Sequence, residues 1–188
     1  MRAISILTGF FKTFRRDPRG VAAVEFALVA PVMIIFYFGM AEMCQAMMAE
    51  RKALRTASSV GDLIAQTDVI TPTGTGGVDD VFSISKTIMA PFPTTGALAM
   101  CAASLTASST GAVTVAWSRA SSDTTCPAKG ASYTPPANLI AANESLIMAR
   151  VSYTYTSPVK FFLKTDPVFT KLYYLRPRKS QAVACATC

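Results

Sequence analysis

The stretch "VAAVEFALVAPVMIIFYFGMA", Val21 to Ala41, constrains this chain more than any other. Every residue in it is apolar or glycine except Glu25 and Pro31. A helix of that length, rising about 1.5 Å per residue, spans a hydrocarbon core of about 30 Å. Arg15, Arg16 and Arg19 precede it and Glu42 follows it. By the bias of basic residues toward the cytoplasmic side, the N-terminus is expected in the cytoplasm. Pro31 removes one backbone donor and is expected to bend the helix without ending it. Glu25 is the anomaly. A charge near the middle of such a span costs roughly 2.5–3.5 kcal/mol, and less toward the interface, so this carboxylate calls for a partner.

Three readings of the run compete. In the first it is a retained signal anchor, with Glu25 at the cytoplasmic interface. In the second it is a secretory signal peptide, with Phe26–Phe38 as its apolar core and "GMA" before Glu42 as a small-residue cleavage site. Against this, the basic region is long and the helical pattern continues past Ala41. In the third the chain is cut after Gly20. The new amine at Val21 then supplies the cation that Glu25, fifth residue of the product, lacks. Gly9 and Gly39 are internal controls, since their fifth followers are Phe14 and Cys44; only Gly20 places an acid there.

The wording "RRDPRG" followed by "VAAVEFALVAPVM" resembles the processing site of type IV prepilins. It resembles more closely the TadE-like minor pilins, or pseudopilins, of tight-adherence Flp pilus systems. In that family a basic leader ends in glycine, and glutamate is the fifth mature residue of an apolar helix. The resemblance makes Gly20 and Val21 the processing site and Glu25 the intramembrane charge used in assembly. The first mature residue would be Val21, where major pilins commonly carry phenylalanine or methionine. Implied partners are a prepilin peptidase, sibling minor pilins, the assembly platform of a bacterial inner membrane, and the major Flp pilin.

The net charge of +7 raises the question of nucleic acid. Arg2, Lys12, Arg15, Arg16 and Arg19 against Asp17 account for +4 of it, all in the leader. The rest of the chain holds no basic stripe interleaved with aromatics, which argues against a nucleic-acid role. Five cysteines are present, and Cys101, Cys126, Cys185 and Cys188 all lie beyond the apolar run. An even set there suits an oxidising compartment. Four cysteines allow three pairings; proximity favours Cys101 with Cys126 and Cys185 with Cys188. There is no histidine, so the commonest general base and zinc ligand is missing. No catalytic motif, metal site or cofactor site is expected. The "CATC" terminus has redox spacing but no strand before it and helix after it, so a structural disulfide or a loose tail is the better reading.

Downstream, Met43, Met47, Leu54, Ala57, Val60 and Ile64 fall on one helical face, extending the helix to about Gln66. "DVITPTGTGG" breaks it. Asp79 can cap a short helix through about Met89, with Val81, Ile84 and Ile88 on one side. "LAMCAASLTAS" and "AVTVAWSRAS" flank "STG" as a hairpin, and "SLIMARVSYTYTS" alternates as the clearest strand. "PVKFFLKTDPVFTKL" stays open between short helix and loop, and "KLYYLRPRKSQA" offers a last strand at an edge. The organisation expected is a basic leader (1–20), a transmembrane helix (21–41), a periplasmic helix extension (42–66), a linker (67–78), a globular α+β domain (79–180) and a tail (181–188). This is a pilin-like α+β plan, a long N-terminal helix leading into a small antiparallel sheet.

The function expected from the resemblance is that of a minor pilin in biogenesis of a Tad-type (type IVc) adhesive pilus, and not of an enzyme. The alternative is an unprocessed membrane-anchored periplasmic scaffold. A soluble protein released after Ala41 is the third possibility.

Overall fold

The structure, a computed structural model, describes residues 19–188; residues 1–18, most of the expected leader, lie outside the described residues. The chain is α+β. A helix α1 (Arg19–Ala65) of 47 residues is followed by a short helix α2 (Val78–Lys86) and a 3-10 turn at Thr87–Met89. Four strands complete it: β1 (Leu98–Ala107), β2 (Val113–Ser121), β3 (Ser145–Thr154) and β4 (Val168–Leu175). Two compact units divide at Cys44/Gln45.

In the first unit the helix runs unbroken through Pro31, whose ring offers no N–H to the carbonyl of Ala27 one turn earlier. Val24, Phe26, Leu28, Ile34 and Phe36 are all exposed. Its best 18-residue window has a mean hydropathy of 2.3 and none of it is buried. By length and composition this is a helix able to cross a membrane.

The second unit is an antiparallel sheet in the order β2-β1-β3-β4, with the rest of α1 on one face. The face of α1 that packs agrees with the expected one at Ala57, Val60 and Ile64 and departs from it before them. Met43, Met47 and Leu54 are exposed, and the buried stripe is Ala46, Ala49, Ala53, Ala57, Val60 and Ile64. Its steps of three and four residues keep it on one side of the helix. Small side chains let the helix backbone approach the sheet closely. At Gly61 a Cβ would stand 2.7 Å from Cδ1 of Leu175 and 3.4 Å from Cβ of Ala149. Hydrophobicity alone ranks methionine and leucine above alanine, which is why the pattern chose Met43, Met47 and Leu54 over Ala46, Ala49 and Ala53.

The short helix also differs from expectation. Gly77 is its N-cap and Asp79 lies inside its first turn. Val78, Val81 and Phe82 are buried, whereas Ile84 is exposed. Lys52 Nζ donates to the carbonyl of Ile88 at 3.1 Å, fastening the 3-10 turn to α1.

The sheet buries both faces. Met100, Ala102, Ile147, Ala149, Val151 and Tyr153 face the helices. Cys101, Ala103, Leu105, Val113, Val115, Leu146 and Met148 form a second cluster, against which Cys126, Tyr133, Leu139 and Ile140 of the polar loop pack. A bulge between β1 and β2 pairs Ser104 with Trp117 but Leu105 with Val115. The extra residue, Ala116, shifts the alternation, so Val115 points into the second cluster and Trp117 into the first. Re-aiming a side chain is what a bulge does.

The last strand begins at Val168, earlier than expected, and 158–167 is a loop. The tail expected at 181–188 belongs to the folded unit. Val183 and Cys185 are buried. Ile70 N donates to the carbonyl of Ala184, and Ala184 N to that of Asp68, both at 2.9 Å.

Candidate functional site

Gly20, Val21 and Glu25 occupy the first two turns of α1. Arg19, the first described residue, is already helical, so the Gly20–Val21 peptide lies within the helix. Among the described residues, nothing approaches within 4 Å of where a Cβ would stand on Gly20. Val21 and Glu25 are both exposed, and their i, i+4 spacing stacks them on one face, about 5–6 Å apart at Cβ. Pro31 follows six residues after Glu25, inside the helix. The structure brings Gly20, Val21 and Glu25 together at one helix end. The four disulfide candidates Cys101, Cys126, Cys185 and Cys188 lie elsewhere, in the second unit.

Among the described residues, no group of three or more acids and cysteines gathers in a way that could hold a metal. What the described residues offer is an apolar cylinder with one carboxylate a single turn from the Gly20–Val21 bond. Residues 20–61 match the family model of TadE-like proteins. The TadE-like segment thus begins at the glycine and carries the apolar run, continuing through most of the alanine stripe to Gly61. Neither the comparison with curated proteins nor that with solved structures gives a match.

In the sheet unit, Cys101 and Cys126 form a disulfide, as do Cys185 and Cys188, each with Cα atoms 5.6 Å apart. The first ties β1 to the polar loop, and the second closes the C-terminal segment. Cys44, on α1, is a free and exposed thiol.

Two ion pairs went unread in the sequence because each joins distant segments. Arg119 on β2 grips Asp79 of α2, with Nη2 to Oδ2 at 2.6 Å. That hydrogen bond, aided by the charge of Arg119 and opposed by burial, holds the Asp79 carboxyl below its usual range. Arg150 on β3 donates from Nε to Asp123 Oδ2 at 2.9 Å, with both side chains largely buried. Burial alone would raise the Asp123 carboxyl. The amide and hydroxyl of Thr125, with Arg150, outweigh it and leave the group below its ordinary value. Burial, and then a 2.7 Å hydrogen bond with Tyr133, push the Tyr174 hydroxyl far up. The Arg119–Asp79 pair ties α2 to β2 on the helix face of the sheet, whereas Arg150, Tyr133 and Tyr174 brace the second face.

Proposed function

We propose that this protein is a membrane-anchored minor pilin, or pseudopilin, that takes part in assembling a Tad-type pilus. A prepilin peptidase cuts it between Gly20 and Val21. The N-terminus starts in the cytoplasm, and the sheet unit lies in the periplasm of a bacterial inner membrane. The observation that supports this reading is the apolar helix carrying Gly20 and Glu25 within the segment that matches TadE-like proteins.

The chemistry after cleavage follows from the helix. The cut creates an amine at Val21, one turn from Glu25, where it is a close cation for that carboxylate. When sibling subunits bring their apolar helices together, the Val21 amine of one chain can meet Glu25 of the next. In such a low-dielectric setting, removing one partner strands a charge and costs roughly 3–5 kcal/mol. The role is structural: Glu25 fixes how far one helix slides along another. The assembly platform and the major Flp pilin are further partners on this reading. Two disulfides within the sheet unit suit an oxidising compartment such as the periplasm.

Glu25→Gln tests the assembly role. Membrane insertion and cleavage stay near normal, while co-purification with sibling minor pilins and piliation fall. Glu25→Asp is intermediate, because the charge survives with shorter reach. A Gln variant that assembles as well as the wild type would leave the unprocessed membrane-anchored scaffold as the better reading.

A further inference from the structure

The two ends of the sheet are chemically unlike. At one end the β1–β2 turn is Ser108-Ser109-Thr110-Gly111, wholly polar, with Asn143 and Glu144 beside it. At the other end the β3–β4 loop exposes Val159, Phe161 and Phe162 at 50%, 51% and 53%. The two phenylalanine rings meet edge to face at 5.2 Å. Lys160 and Lys164 lie beside them. Asp166 engages Lys160 at 3.3 Å and accepts from the Thr156 hydroxyl, while Lys164 adds an exposed ammonium.

The position of this loop is fixed by its base. Tyr155 N donates to the carbonyl of Pro167 at 2.9 Å and closes the loop. The Tyr155 hydroxyl donates to Oε1 of Gln45 at 3.4 Å. Gln45 is the first residue of the sheet unit, four residues after Ala41, or about 6 Å of helix past the apolar run. The aromatic loop therefore stands at the end of the unit where the chain enters that run.

We propose that the loop Thr156–Asp166 is a second membrane contact, which places Phe161 and Phe162 in the interfacial layer of a bilayer rich in anionic lipid. This rests on the reading of α1 as a membrane anchor. Half-exposed aromatics in a contiguous patch mark a contact surface. Phenylalanines interleaved with lysines suit the headgroup boundary, where rings sink and ammonium groups reach lipid phosphates. The polar turn at the far end, about 30 Å away along ten-residue strands, has no such chemistry. Once α1 is inserted, the loop is already held near the surface, so little further entropy is lost on contact.

The test uses the full chain in vesicles of phosphatidylethanolamine and phosphatidylglycerol whose acyl chains carry bromine, a contact quencher of indole. F161W places a probe in the loop and T110W places one in the far turn; the signal of buried Trp117 is subtracted using the wild type. The expected result is that F161W loses about half its emission, consistent with burial ~5–10 Å into the headgroup boundary, while T110W loses none. Vesicle flotation is read in parallel. F161W that floats but is unquenched overturns the loop contact and leaves the anchor intact. If that same probe is also shielded from aqueous iodide, a protein surface covers the loop instead, and the proposal fails. A chain that does not float refutes the anchor, and the loop contact with it.

Discussion

The indole Nε1 of Trp117 donates to the carbonyl oxygen of Val183 at 2.8 Å, across 66 residues of sequence and inside the core. Deleting residues 181–188 removes the acceptor and the buried Val183 side chain together. Lost burial of about 1.5–3 kcal/mol and an unpaired N–H of about 1–3 kcal/mol make a loss of several kcal/mol. Against a typical total of about 5–15 kcal/mol this is severe. Urea unfolding in detergent, followed by Trp117 emission, should show a lower midpoint and a red-shifted native spectrum. A truncated chain with an unchanged midpoint would mean that the segment is an ornament on the fold.

The Arg150–Asp123 pair makes a second, pH-linked prediction. Both Asp79 and Asp123 have carboxyls held below their ordinary range. A depressed folded value contributes stability above the unfolded value, near pH 3.9, and loses it as pH falls through the folded one. Stability should therefore drop as the pH is lowered below about 4. Asp123→Asn leaves the largely buried Arg150 uncompensated and should cost about 2–4 kcal/mol at neutral pH, with a shallower acid loss than the wild type. Asp79→Asn, at a more exposed pair, should cost less. Denaturant midpoints from pH 3 to 7 check the order, and equal effects of the two variants would contradict it.

The Cys101–Cys126 disulfide closes a separation of 25 residues. By loop-closure entropy it contributes about 3 kcal/mol. Alkylation of the unfolded, non-reduced chain should modify Cys44 alone. Peptide mass spectrometry should then find Cys101 joined to Cys126 and Cys185 joined to Cys188. Either of the first two found free, or joined to Cys185 or Cys188, would overturn this arrangement of the loop over the sheet.

Much of the fold could be read from local pattern. The apolar run announces a helix through composition alone, and the alternation in "SLIMARVSYTYTS" announces a strand. What escaped depends on contacts between distant segments. The stripe Ala46, Ala49, Ala53 and Ala57 is silent in a hydrophobicity pattern, because alanine is chosen for the close approach marked by Gly61 and Leu175. The bulge at Ala116 breaks an alternation that looks regular in "VTVAWSRA". The packing of Val183 and Cys185 depends on Trp117 and on the backbone at Asp68 and Ile70. Gly20, Val21 and Glu25 could be named as candidates because they are neighbours in sequence, within one turn and a half of one another.

Gly20→Ala should impair the cut, because a peptidase must bring its own groups close to a backbone where glycine leaves room. Among the described residues, nothing opposes the added methyl, since no atom lies within 4 Å of it. The variant should therefore insert and fold normally but migrate at the precursor size. Migration of G20A at the mature size would place the cut elsewhere.

The central claim is cleavage between Gly20 and Val21, and N-terminal sequencing of the chain purified from its native membrane tests it most directly. The account predicts a single terminus beginning Val-Ala-Ala-Val-Glu. An intact leader beginning at Met1 would contradict it in favour of an unprocessed anchor, and a terminus at Glu42 would contradict it in favour of a released protein.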